Sequence, residues 1–192
     1  MFRWEIIDKY IKEKKFKSYL EIGIKNKNFN FNKIECENKV GVDPDYKTKA
    51  EYILTSDNFF KINKNKFDCI FIDGFHEYNQ LNRDIKNSLK CLNKNGIIFC
   101  HDVFPLNKET CLPPLNGKER DGIWNGDCYK SWMEYNFLGE YYCWLYISMD
   151  EQIGIIDTSK KHIPEILKYD MNKLTYEQFM ENISILNIKF DL

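Results

Sequence analysis

Residues 67–102 read FDCIFIDGFHEYNQLNRDIKNSLKCLNKNGIIFCHD. The first eight, FDCIFIDG, are apolar on both faces of an extended chain, as a strand buried between two helix layers requires. In residues 77–92, EYNQLNRDIKNSLKCL, the side chains of Leu81, Ile85, Leu89 and Leu92 recur on one helical face. NKNG then ends the helix, with Gly96 suited to a left-handed cap, and GIIFCHD (96–102) is a second buried strand. Strand, helix and strand in this rhythm form the crossover unit of an open, mostly parallel sheet. The fold class is α/β.

The pattern extends in both directions. Upstream, SYLEIGI (18–24), KVGVD (39–43) and YILTS (52–56) are strand-length runs rich in β-branched or aromatic residues. Before them, Trp4, Ile7, Ile11 and Tyr10 fall at helical spacing within residues 4–15. Downstream, residues 103–122 hold three of the five prolines and little periodicity, which predicts a long loop. Loops of this length in compact domains are usually lids or binding segments, and a lid is expected over about 103–132. NGDCYKSWMEYNF (125–137) predicts a helix. YYCWLYISM and QIGIIDT predict a C-terminal antiparallel hairpin turning at Asp150 and Glu151, and a helix is expected near residues 175–186. The expected architecture is a seven-stranded, mostly parallel sandwich with helices on both faces, built as one domain over residues 1–192.

Composition narrows the function. The chain carries 28 Lys plus Arg against 29 Asp plus Glu, a formal charge of -1. A binder that works by neutralising phosphates needs a positive field, so nucleic acid is disfavoured as a partner. No apolar run is long enough for a membrane span, and the N-terminus mixes charge with apolar residues, so nothing marks the chain for export. Lys outnumbers Arg by 25 to 3 and Ala occurs once, at Ala50, which weakens helix-propensity arguments. Seven cysteines without a CxxC pair fit a reduced, cytoplasmic compartment better than a disulfide or zinc framework.

Chemistry concentrates where the strands end. In open α/β sheets ligands bind at the carboxyl edge, near the point where strand order reverses. Polar residues close every expected strand: Glu21 and Gly23, Asp43, Ser56 and Asp57, then Asp73 and His76, then His101 and Asp102. Caps and turns explain any one of these; five together point to a shared pocket, an acidic mouth suited to a sulfonium cation and a divalent metal. Asp43 follows the first glycine turn by about 20 residues, the spacing at which an acid receives ribose hydroxyls. The turn itself, Gly23 to Lys27, lacks GxGxxG, and its bulky side chains would hinder a pyrophosphate. A nucleoside-bearing cofactor without pyrophosphate, S-adenosylmethionine, therefore fits better than NAD.

Together, YLEIG, GVDP, FDCIFIDGFHEY and HDVF resemble the class I S-adenosylmethionine-dependent methyltransferases, in particular the branch with an IDG-x-H-x-Y motif that includes sugar O-methyltransferases. The resemblance covers about residues 17–158. It implies that Glu21 and Gly23 contact the methionine part of the cofactor, Asp43 the ribose and the Ser56/Asp57 region the adenine. It also implies that Asp73 and Asp102 hold a divalent ion, magnesium by the hardness of the ligands, with His76 as general base. In a metal-free pocket, Asp73 would instead hold the cofactor amine or the substrate.

Further along, GIWNGDCYKSW (122–132) offers Trp124 and Trp132 as stacking platforms, with Asn125, Asp127 and His101 as weaker substrate candidates. Core packing and helix capping explain the tryptophans and Asn125 equally well. Lys118 and Arg120 could meet the phosphates of a nucleotide sugar. The expected activity is O-methylation of a sugar or nucleotide sugar in glycan biosynthesis. Methylation of a small phenol or natural product, and a catalytically silent cofactor-binding subunit, are the alternatives. Acceptor specificity would come from the lid or from a partner, as a homo-oligomer or a fusion with other glycan enzymes.

Overall fold

Period-two alternation along the strands decides which helix layer each side chain meets. The computed structural model describes residues 1–148, 152–166 and 168–190. The strands are β1 (Ser18–Ile22), β2 (Asn38–Val42), β3 (Phe67–Ile72), β4 (Leu92–Cys100), β5 (Tyr141–Ile147), β6 (Gln152–Lys161) and β7 (Ile188–Phe190). The helices are α1 (Arg3–Lys14), α2 (Ser56–Ile62), α3 (Tyr78–Cys91), α4 (Cys128–Leu138) and α5 (Tyr176–Glu181).

Leu20, Ile70, Ile72 and Ile98 point to one face of the sheet, where they pack with Phe59 of α2, Leu81 and Ile85 of α3, Trp132 and Phe137 of α4 and Phe179 of α5. Tyr19, Cys69, Phe71, Ile97 and Phe99 point to the other, against Ile6, Ile7 and Ile11 of α1 and against Phe31 and Ile34. Each fully buried Ile or Phe contributes roughly 1.5–3 kcal/mol relative to exposure. All seven cysteines are free thiols, and no described helix is long and apolar enough to cross a membrane.

Seven described strands form one sheet in the order β2-β1-β3-β4-β6-β5-β7. β1 pairs in parallel with both β2 and β3, so strand order reverses around β1. β6 lies antiparallel between β4 and β5. The proposed hairpin turn at Asp150 and Glu151 lies outside the described residues.

Three sequence expectations change. Residues 52–56 are not a strand: Tyr52 makes a single bridge to Val42, and Thr55 caps α2 by accepting from Asn58 N at 3.3 Å. Thr-Ser-Asp satisfies helix amides better than a ladder. The seventh strand comes instead from the tail, where β7 pairs in parallel with β5, and the tail helix is shortened to α5 plus a 3-10 turn at Ile183–Ile185. Finally, Gly96 is a β4 residue; α3 ends at Cys91, and Asn95 takes the left-handed conformation (φ 63).

On α3, the carboxyl of Asp84 is buried and accepts from Gln80 Nε2 at 3.1 Å. Burial pushes it up to about 6, against the hydrogen bonds from Ser56 and Gln80. The folded state therefore binds a proton more tightly than the unfolded chain, and stability is lost as pH rises from the unfolded value of about 4 through 6. Asp84→Asn should be more stable than the parent at pH 8 by roughly 2–3 kcal/mol, with the gain vanishing near pH 4. Urea denaturation at both pH values checks this.

Candidate active site

At the carboxyl edge the ladder continues past the strand tips. Gly23 N donates to Val42 O (2.9 Å), Asp73 N to Ile22 O (2.8 Å) and His101 N to Ile72 O (2.9 Å). This brings the first residues after β1, β3 and β4 side by side. Gly23 takes φ 86, and a Cβ there would lie 1.9 Å from Asp73 O, so only glycine lets the two turns meet. They open on a cleft of about 560 Å³ lined by Gly23, Asp43, Asp73, His76, His101 and Asp102, together with Arg3, Lys25, Phe29, Pro44 and Glu119. The volume lies within the range of small-molecule sites.

Four titratable side chains form the centre. His76 Nε2 is 3.0 Å from Asp102 Oδ2 and 3.5 Å from Asp73 Oδ1. His101 Nδ1 donates to Asp102 Oδ2 at 2.7 Å and lies 3.3 Å from Asp73 Oδ1. Asp102 sits at φ 58, a left-handed conformation that aspartate tolerates better than most side chains. Asn125 Nδ2 donates to Asp102 Oδ1 at 2.7 Å, and Arg3 Nη1 to Asp73 Oδ2 at 2.6 Å. His76 is anchored on its far side, Nδ1 donating to Trp124 O at 2.9 Å, with its ring tilted 5.3 Å from the indole.

Charge pairing decides the protonation states. Burial alone would raise both carboxyls, but His101 above all, joined by His76, holds Asp73 and Asp102 below the usual carboxylate range. Burial disfavours charge on the imidazoles, yet the hydrogen bond to Asp73 and the fields of Asp102 and Asp73 push His76 up to about 9. The same carboxylates push His101 up. Asp73, His76 and Asp102 each offer a ligand atom within 4.8 Å of the others. Two carboxylate oxygens are donors that a hard divalent cation accepts, so Asp73 and Asp102 fit such an ion, with His76 Nε2 beside it.

Other sequence candidates are placed differently. Glu21 is buried behind the cleft, accepting from Tyr19 OH (2.5 Å) and Asn30 Nδ2 (2.8 Å), and burial pushes it up to about 7. Asp43 reaches the cleft, but its Oδ2 accepts from Ile24 N (2.9 Å) and Lys25 N (3.0 Å) and its Oδ1 from Asp45 N (2.8 Å). Ser56 and Asp57 begin α2 and do not line the cleft; Ser56 Oγ accepts from Gln80 and Asp57 pairs with Arg83. Asp127 Oδ1 accepts from Tyr78 N at 2.8 Å, completing the N-terminus of α3. Trp132 is fully buried in the core, and Trp124 is buried with Nε1 donating to Leu112 O at 2.7 Å. The acidic mouth is thus smaller than the sequence suggests, because most of its carboxyls already have partners.

Arg3 and Glu119 escaped sequence reasoning. Arg3 had one available signal: it is one of three arginines in a chain with 25 lysines, and arginine offers a planar fork that lysine lacks. Glu119 had none, since loop geometry alone brings it to the cleft.

Residues 28–103 match a family model described as a methyltransferase domain. No curated protein sequence matches the chain at a significant level. Among solved structures, the O-methyltransferase from Bacillus cereus in complex with S-adenosylhomocysteine is similar with a TM-score of 0.54 at 10% identity, over 81% of this chain and 80% of that one. The O-methyltransferase TomG from Streptomyces achromogenes, involved in tomaymycin synthesis and in complex with S-adenosylmethionine, gives 0.57 at 7% identity, over 81% and 78%. MycE, from the mycinamycin biosynthetic pathway, in complex with Mg, S-adenosylhomocysteine and mycinamycin VI, gives 0.52 at 13% identity, over 86% and 50%. The fold is that of these methyltransferases, and residues 28–103 match a methyltransferase domain.

Gly126 holds the loop against this site. It takes φ 61, and a Cβ would lie 1.8 Å from His76 O. Gly126→Ala should therefore lower thermal stability by at least about 1 kcal/mol and displace the His76 ring, which an imidazole NMR shift would report.

Proposed function

We propose that the protein transfers a methyl group from S-adenosylmethionine to a hydroxyl of a small molecule, with His76 as general base. The observation that carries the reading is the convergence of Asp73, His76 and Asp102 on the cleft, their ligand atoms within 4.8 Å. Gly23 and Asp43 line that cleft from the β1 and β2 ends, where methionine and ribose are expected. Phe29 and Pro44, also on its wall, offer the adenine apolar surface in place of Ser56 and Asp57.

An alcohol titrates far above neutrality, so its proton must leave as the new carbon–oxygen bond forms. His76 Nε2 faces the cleft carboxylates while Nδ1 is fixed on Trp124 O, so the ring is oriented to take a proton at Nε2. Between two bare carboxylates that nitrogen holds its own proton; a cation on Asp73 and Asp102 would remove the field that retains it. Magnesium would supply Lewis acidity at the acceptor hydroxyl. His101 and Asn125 hold Asp102 in place from two sides, and alignment of acceptor oxygen, methyl and sulfur supplies much of the rest.

For the acceptor, the loop over residues 103–127 acts as the lid. It forms a second hollow of about 550 Å³ lined by Leu112, Leu115, Lys118, Arg120, Ile123 and Trp124, and Glu119 borders both hollows. A sugar or nucleotide sugar of glycan biosynthesis is supported by Lys118 and Arg120, which offer cations to a phosphate. A phenol or natural product is supported by the exposed Leu115 and Ile123.

Calorimetry with S-adenosylhomocysteine tests the cofactor: the parent should bind and Asp43→Ala should bind more weakly, while no binding by the parent would refute the reading. His76→Ala should lose about 10²–10⁴ in turnover with cofactor affinity nearly intact. Chelation should abolish turnover and added magnesium restore it; a rate indifferent to chelation rejects the metal.

A further inference from the structure

Consecutive residues of the loop before α4 each hold a different part of the catalytic centre. Trp124 O receives His76 Nδ1 (2.9 Å), and Asn125 Nδ2 donates to Asp102 Oδ1 (2.7 Å). Gly126 lies so close to His76 O that a Cβ would stand 1.8 Å away, and Asp127 Oδ1 accepts from Tyr78 N (2.8 Å). Residues 124–127 therefore run along the whole turn that carries His76, from its ring to the first residue of α3.

This clasp hangs in turn on the lid. Asn125 N and Gly126 N both donate to Thr110 O (2.8 and 3.1 Å), and Trp124 Nε1 donates to Leu112 O (2.7 Å). The bonds to Thr110 join backbone to backbone. The bond to Leu112 passes through a side chain that, with Leu112, lines the lid hollow. Trp124 borders that hollow but not the cleft, and His76 borders the cleft but not the hollow. Their rings meet with centroids 5.3 Å apart and a tilt of 34°, so the ring pair is the partition between the two spaces. Trp124 is 7% exposed, and a buried donor without a partner costs about 1–3 kcal/mol. A shift of the Leu112 carbonyl therefore draws the indole with it.

We propose that Trp124 is a positioning residue that couples the lid hollow to the base: its indole tether joins Leu112 and the Trp124 carbonyl into one unit, and that unit sets the direction of His76 Nε2. The assignment rests on His76 being the general base. A displacement of about 1 Å at reacting atoms costs about a hundredfold in rate. An acceptor that fills the hollow and braces Leu112 is thus favoured in the rate of transfer over one that reaches the centre alone.

The test is hydrogen exchange at the His76 imidazole, followed by NMR at one fixed pH on the full chain with isotope-labelled histidine. The Nδ1–H signal is assigned by its absence in His76→Gln. Trp124→Phe keeps an aromatic ring and the backbone carbonyl but removes the tether, and Leu112→Gly loosens the hollow wall from outside the cleft. Each should speed exchange of His76 Nδ1–H about tenfold, and the double variant no more than either alone. The Tyr78 amide should keep its parental protection, reporting that α3 is intact. Parental exchange in both variants would overturn the proposal, as would effects that add in the double variant, since independent sites add. Equal loss of protection at His76 and Tyr78 means general loosening of the loop and also overturns it, as does a parent whose Nδ1–H exchanges like that of free imidazole. Retained turnover in His76→Ala would remove the base reading while leaving the measured coupling standing, so the two failures are distinct.

Discussion

Two carboxylates at the tips of adjacent parallel strands cannot be buried uncompensated, because the interior penalises unpaired charge by several kcal/mol. Asp73 and Asp102 occupy those tips, and much of the site is what their compensation requires. His101 comes from β4's own end, His76 from the turn before α3, Arg3 from the first turn of α1 and Asn125 from the loop before α4. Four separate segments converge on one pair of acids. The same convergence explains why both imidazoles are pushed above their usual range.

Strands β1 to β4 and helix α3 were legible in the sequence because local pattern and tertiary environment agree. FDCIFIDG is apolar on both faces and is covered on both, and Leu81 and Ile85 point inward as their spacing predicts. YILTS misled because its apolar residues resemble a strand, while Thr55 prefers a helix cap. β7 was illegible for the opposite reason. Ile188–Phe190 is only three residues long with a lysine at its centre, and pairing with β5 defines it as a strand.

The site shows the same division. Asp73, His76, His101 and Asp102 could be placed together from sequence because strand ends of a parallel sheet share one edge. The partners of Asp43, Asp57 and Asp127 could not, since each depends on a backbone amide or side chain brought in by the fold. A carboxylate at a strand end announces that it needs a partner; whether the partner is a ligand or the protein itself is a tertiary fact. Asp127 illustrates the second outcome, its acid closing the start of α3 while its neighbour Asn125 turns to Asp102.

The strand order also bears on how the chain acquires its shape during synthesis. β6 lies between β4 and β5, so the open edge of β4 has no partner until residues near Asp157 have left the ribosome. Until then apolar Ile98 and Phe99 lie in a strand that has β3 on one side and no partner on the other. Such edges template association between chains. The interval between emergence of β4 and docking of β6 is therefore when this protein is most exposed to aggregation, and truncation before residue 152 would make that interval permanent.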